Sequence, residues 1–279
     1  MKLFTGFVLC VFLCKSSAAQ YYYKDIVLTA QASDTWKAYQ ENRVRSVKIA
    51  SLEANGEPVE GFACDQVIAA DYSEITTTTR SSLTDESVLT AHYSPKGFLK
   101  ETVDTGNRSK NVTEYKFNEK GQLVSIANHS VAGDSPATDS EQHLWTYDET
   151  GKPVSMIKIR NTTDSSFFRF VKDEHGNIAE EHGMHRNLQL PVIYYYYDGS
   201  GRITDVVKYN AHAKRLLPDF IFEYDEAGKL HSMLTVPEDT NGYQQWIYDY
   251  AQNGLRMKET CFNKKKVMIG QIVYRYSSK

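Results

Sequence analysis

The chain has 279 residues, a formal net charge of −3 and an aromatic content dominated by 19 Tyr and 12 Phe. No Lys/Arg-rich stripe occurs apart from Lys264-Lys265-Lys266, so nucleic acid and anionic membrane are excluded as expected partners. Beyond Leu13 no apolar stretch approaches the ~20 residues of a membrane-crossing helix, so no membrane insertion of the mature chain is expected.

Met1-Lys2 is followed by an apolar run to Leu13, broken only by Thr5 and Gly6, and then by Ser17-Ala18-Ala19. This pattern predicts a signal peptide over residues 1–19, with small residues at the −3 and −1 positions of a cut after Ala19. Leu9 precedes Cys10 and Leu13 precedes Cys14, where a lipoprotein signal needs a small residue. The expectation is therefore an exported protein, periplasmic or extracellular, that is not a lipoprotein. Its mature chain starts at Gln20, which can cyclise to pyroglutamate. Residues 20–71 form an N-terminal cap region, with one short helix over Ser33–Gln40 starting at an Asp or Ser cap.

Residues 72–279 carry a repeat. Tyr147-Asp148-Glu149-Thr150-Gly151, Tyr197-Asp198-Gly199-Ser200-Gly201 and Tyr224-Asp225-Glu226-Ala227-Gly228 share an aromatic-Asp-x-x-Gly unit. Weaker copies lie at Gly97, Gly121, Gly176 and Gly254, in steps of 24 to 30 residues. Asp at the first turn position accepts downstream backbone N–H bonds. The glycine supplies the left-handed conformation that closes the turn with a bulge. These seven glycines are thus turn-forming, not a phosphate loop. Four, six and eight residues before each glycine stand mostly aromatic or apolar side chains, including Tyr197, Tyr195 and Ile193, or Tyr250, Tyr248 and Trp246. Positions two apart share one face of a strand. That shared face reads as packed core rather than a sugar-stacking platform.

The predicted fold is all-β: an antiparallel β-meander of repeated hairpins, twisted or curled as a single sheet, with about fourteen strands from seven repeats. Leu52–Val59 adds more if it is a diverged first copy. Seven copies are too few for a closed shell. Asn128–Gln142 is the longest polar connection and reads as a flexible loop. The C-terminal copy, Phe262-Asn263-Lys264-Lys265-Lys266-Val267, loses its glycine, and its lysines form a solvated turn.

The units around Gly97, Gly121, Gly151, Gly176, Gly201, Gly228 and Gly254 resemble the YD repeat of the Rhs family. The resemblance covers roughly the last two thirds of the chain. Ser94 and Asn118 depart from it in place of Asp, and Lys172 in place of the aromatic. It implies a β-hairpin array, an association with carbohydrate, or a role encasing a client polypeptide.

Cys64 and Cys261 remain once the leader is gone, and export permits a disulfide between them. The bond requires the sheet to curl until its ends approach within about 7 Å. The alternative is two buried free thiols. His182-Gly183-Met184-His185 is the one compact cluster with a metal-ligand look, but strand alternation sends the two imidazoles to opposite sides, so no metal and no cofactor are assigned. No nucleophile elbow is present. The expected function is a non-enzymatic exported scaffold or binding module for a glycan or a surface protein. The alternatives are a partner-encasing adaptor of an Rhs-type toxin or secretion system and, least favoured, a hydrolase on a β-scaffold, revived by a buried convergent carboxylate pair. Function is expected where copies disagree: Lys172, Asn128–Gln142, His182–Pro191 and the N-terminal cap.

Overall fold

The computed structural model describes residues 20–82, 84–106, 108–133, 138–211, 213–236 and 242–278. The leader assigned to residues 1–19 lies outside them. A π-helical turn, Tyr22–Val27, runs directly into helix α1, Leu28–Glu41. Then come β1 Ser46–Glu53, β2 Ala63–Ile68, β3 Glu74–Ser81, β4 Thr84–Tyr93, β5 Leu99–Gly106, β6 Ser109–Phe117, β7 Leu123–Ala132, β8 Thr138–Tyr147, β9 Pro153–Arg160 and β10 Asp164–Lys172. The chain continues through β11 Ile178–His185, β12 Leu188–Gln189, β13 Ile193–Tyr197, β14 Ile203–Asn210, β15 Arg215–Tyr224, β16 Leu230–Thr235, β17 Gln244–Tyr250, β18 Arg256–Asn263 and β19 Met268–Ser277.

The antiparallel meander is as expected, but the open sheet is not. Ser46–Glu53 of β1 pairs along its whole length with Ser277–Gly270 of β19, while its first half also pairs with β2. The sheet therefore closes into a barrel. Two-residue β12 and β13 both pair with β11 and form one interrupted strand, giving 18 around the circumference. Closure removes the free edges that an open meander would leave as templates for aggregation. The expected fourteen strands fell short by four: β1 and β2 from the region assigned as a cap, β3 ahead of the first glycine hairpin, and β19 after the C-terminal turn. Residues read as polar connections are also largely paired: β7 and β8 run to Ala132 and from Thr138, with registered pairs from Ser125↔Leu144 to Val131↔Thr138, so Asn128–Gln142 is mostly strand.

The aromatic register is the inner face. Phe168, Phe170, Ile193, Tyr195, Phe222, Trp246 and Tyr248 are all buried. The other face is mixed: Lys48, Asp65 and Arg275 lie in one cross-strand row and Lys258 pairs with Asp249, but Val67, Phe167, Met184 and Tyr196 are exposed there too. The helical segment lies inside this tube. Tyr21 packs on His143 and Phe168, Tyr22 on Phe170 and Tyr195, and Tyr23 on Phe220 and Phe222. At the far end Trp36 meets Tyr72 and Tyr93, and Tyr39 meets Tyr276. Apart from Tyr72, in the turn before β3, these partners belong to strands spread from β4 to β19, so the helix crosses the lumen instead of capping one strand. It extends from residue 21 to 41, well beyond Ser33–Gln40, and no side chain of its own caps its start.

Candidate functional site

All seven turn glycines have φ between +75° and +86°. In each turn the glycine N–H donates to the carbonyl three residues back, as Gly201 does to Asp198 and Gly228 to Asp225. The Asp198 carboxylate accepts from the Ser200 and Arg202 N–H groups, and Asn118 and Asn263 do the same in the diverged copies. A register shift follows just before each turn, for example between Tyr196 and Tyr197. The aromatic of the motif has a second task. Tyr147, Tyr197, Tyr224 and Tyr250 donate their hydroxyls to the carbonyls of Leu123, Ile178, Ile203 and Leu230, at 2.6–3.0 Å. Each acceptor is the aliphatic position of the preceding copy. The Tyr of one unit is thus tied to the aliphatic of the last, each bond contributing about 1 kcal/mol. Lys172, where the aromatic is missing, ties neighbouring copies differently: its ammonium reaches Asp148 in the preceding turn at 2.6 Å.

Cys64 and Cys261 are free and buried. Both belong to one core cluster with Trp36 and Tyr39, yet β1 and β19 stand between their strands. Three strand spacings of ~4.8 Å put at least ~14 Å between them, too far for a disulfide even though the sheet closes. Burial pushes the Cys261 thiol up to about 12. His182 lies on the outer face beside Glu180, while His185 bonds Ser166 within the wall, so the two do not converge.

The charged groups that converge are elsewhere, where the helix meets β8 and β9. Asp25 accepts from His143 Nδ1 at 2.6 Å and from Trp145 Nε1 at 3.0 Å. His143 Nε2 meets Glu141 at 3.0 Å. Lys158 bonds Glu141 at 2.7 Å and the Tyr21 hydroxyl at 2.9 Å. Burial alone would lower the His143 imidazolium, but Asp25 and then Glu141 outweigh it and push it up to about 9. Burial would raise Glu141, but bonds from His143 and Lys158 bring it down to about 2. At neutral pH the histidine is therefore a locked cation and Glu141 a locked anion. Neither is poised for general acid–base work, which needs a pKa near the working pH. Asp25 and Glu141 are the convergent carboxylates a hydrolase would need. Here they clamp a histidine under the helix, with Tyr21 closing the far side. A second wall residue, Glu181, accepts from the Gln20, Tyr21 and Tyr22 N–H groups and from the Tyr195 hydroxyl, capping the helix from outside its own chain segment. The sequence signal for both lies in the strands: His143 and Glu181 break the inward apolar register.

On the outer wall a groove of about 540 Å³ is lined by Ile157, Thr163–Phe167, Met184, Arg186 and Asn187. Ile157, Phe167 and Met184 are paired in one cross-strand row on β9, β10 and β11, and are 39 %, 48 % and 52 % exposed. Asp164 and Arg186 pair at its end. The turns that frame it hold Asn161, Thr162, Arg186 and Asn187 at positive φ, and Thr162, at +62°, is a β-branched residue in a conformation such residues avoid.

These features define a closed, plugged antiparallel barrel of Asx-turn hairpins, largely aromatic within and mixed without. No family model matches the chain, and no curated protein matches it. Among solved structures it is similar to a porin-like protein from Bacteroides uniformis, 8% identical over 84% of this chain and 98% of that one, with a TM-score of 0.41. A porin-like protein from Bacteroides vulgatus is 12% identical over 84% and 98%, with a TM-score of 0.31. A chain of the Photorhabdus luminescens Tc holotoxin pore is 12% identical over 84% of this chain and 17% of its own, with a TM-score of 0.21. These scores carry nothing beyond the likeness itself.

Proposed function

We propose that the chain is an exported, non-enzymatic binding barrel whose recognition surface lies on the outer wall, with a glycan as the ligand class. The observation that carries the reading is the groove on β9–β11. There Phe167 offers an exposed ring, and Thr163, Ser165, Asn187, Asp164 and Arg186 supply polar groups around it. An apolar platform with a few convergent hydrogen-bonding groups is the usual composition of a small-ligand site. The left-handed Thr162 beside it supports the same reading, because strain of order 1–3 kcal/mol persists mainly at functional sites.

Outward charges favour water over lipid along the part of the wall that carries them, β1, β18 and β19. Groups such as Lys48, Arg275 and Lys258 would each cost ~2–4 kcal/mol facing the bilayer midplane. The inner face, aromatic rather than polar, is likewise the reverse of a membrane barrel. A YD-type ancestry fits the turn chemistry and the association of such repeats with carbohydrate. An encasing role is disfavoured by the helix, since a client in the lumen would have to displace Tyr21, Tyr22, Tyr23, Trp36 and Tyr39. A glycan array probed with the wild-type chain and with Phe167→Ala tests the proposal. Binding that is lost in Phe167→Ala supports it. An array without hits, or hits indifferent to Phe167, overturns it.

A further inference from the structure

Glu181 is a carboxylate without a cation. It is 0 % exposed, and its partners are three backbone N–H groups, from Gln20 at 2.9 Å and from Tyr21 and Tyr22 at 3.1 Å, and the Tyr195 hydroxyl at 2.7 Å. Among the described residues no Lys, Arg or His pairs with it. Burial raises its pKa, opposed by the hydrogen bond from Tyr195 and those from the backbone. A charge this deeply buried is costly unless it is paired.

The group closest to supplying a cation is Gln20. It is only 2 % exposed, its N atom lies against Glu181 Oε1, and its side-chain amide donates to Asp219, which is itself paired with Lys208. Its φ of +79° is left-handed, which costs a non-glycine residue ~1–2 kcal/mol. That dihedral ceases to exist once nothing precedes Gln20. Ser17-Ala18-Ala19 places a small-x-small cleavage signal immediately before it.

We propose that cleavage between Ala19 and Gln20 is a maturation step of the barrel, in which the new α-ammonium of Gln20 becomes the buried counter-ion of Glu181. The inference rests on the export reading for its peptidase, a signal-type enzyme that cuts after small-x-small. Water adds across the Ala19–Gln20 amide. The carbonyl carbon takes the water oxygen and leaves as the Ala19 carboxylate, and the freed nitrogen takes up both water protons to become the α-ammonium. Because Gln20 is sealed within the wall, cleavage precedes insertion of the helix. The seated terminus also keeps Gln20 from cyclising, since pyroglutamate would lose both the ammonium and the amide that binds Asp219.

The test begins with mass spectrometry of the exported protein. Gln20 with a free amine is expected; another start, or pyroglutamate, overturns the maturation step. Two purified forms are then compared, one beginning at Gln20 and one at Ala19, whose amine is displaced by one residue. The Gln20 form should melt several degrees higher, and that gap should vanish in a Glu181→Gln background. Equal melting points, or a gap that survives Glu181→Gln, overturn the ion pair even where the N-terminus is confirmed. A readout independent of that variant is acylation of the α-amine in the wild-type protein. It should be slowed by more than an order of magnitude in the folded state relative to urea, and equal rates in the two states overturn burial of the terminus.

Discussion

Raising the pH from 6.5 to 9 is expected to remove about 3 kcal/mol of stability through His143 alone. The imidazole titrates near 6.5 in the unfolded chain and near 9 in the barrel. A folded-state pKa above the unfolded value means that the folded state holds its proton more tightly. The stabilisation is therefore complete below 6.5 and is lost as the pH climbs through 9. The gap between the two values, at 1.36 kcal/mol per pKa unit, gives ~3 kcal/mol. His143 is 8 % exposed, so solvent screening discounts this only slightly. Glu141 has the opposite sign: its contribution is present above 4.5 and is lost as the pH falls through about 2. It does not interfere in the alkaline window. Urea unfolding at half-unit steps from pH 6 to 9 reads the effect through the fluorescence of Trp36, Trp145 and Trp246, all buried. With an m-value near 3 kcal/mol/M the midpoint should fall by about 1 M. Asp25→Asn keeps an oxygen to accept from Trp145 but removes the charge, so its profile should be much flatter. A wild-type midpoint that holds steady from pH 6.5 to 9, or an equal slope in Asp25→Asn, refutes the buried imidazolium.

Three further predictions concern the turns. At Gly176 an added Cβ meets open space, so Gly176→Ala should cost only the left-handed backbone, ~1–2 kcal/mol by urea titration. At Gly97 the same Cβ would stand 2.5 Å from the Trp36 ring, so Gly97→Ala should cost clearly more and should disturb near-ultraviolet circular dichroism through the plug. Lys266 occupies the glycine position of the last copy at φ +58°. Lys266→Gly should relieve ~1–2 kcal/mol of strain against ~0.4–1 kcal/mol of added unfolded-state entropy, for a small net gain in melting temperature. An unchanged or lower melting point would show that Lys266 is not strained there.

The turns and the inward register were legible because each rests on a local rule. The Asp-x-x-Gly spacing dictates an Asx turn with a left-handed closure. Residues four, six and eight before the glycine share a face whatever the sheet does as a whole. Closure was not legible, because it depends on Ser46–Glu53 finding Gly270–Ser277 across more than 200 residues, and β1 carries no turn motif to announce it. The charged network was hidden for the same reason. Asp25 and His143 are far apart in the chain, and only the helix's entry into the lumen brings them together. His143 was visible as an odd member of the apolar register, but it had no partner that sequence spacing could suggest.

The helix follows from the barrel's size and polarity taken together. Small barrels of about eight strands fill their interior with their own side chains, whereas sixteen to eighteen leave a channel. In a membrane barrel that channel is polar and holds water. Here many inward positions are Phe, Tyr, Trp and Ile, alongside polar ones such as Thr77, Thr79 and Ser125, and a water-filled lumen would leave the apolar ones exposed at ~25 cal/mol for each Å². An eighteen-strand wall with this inner face therefore needs an apolar insert. Further along, α1 exposes a polar face that includes Gln31, Lys37 and Glu41, but the insert's first turn meets wall on several sides and must be apolar toward each. Tyr21, Tyr22 and Tyr23 satisfy this: successive helical residues point about 100° apart, and the three rings land on β8 and β10, on β10 and β13, and on β15. Three consecutive aromatics on a helix suit neither a flat sheet nor a one-sided cap, but they suit the axis of a tube. The Tyr-Asp repeats thus specify the wall, and the unrepeated first segment supplies what that wall cannot complete by itself.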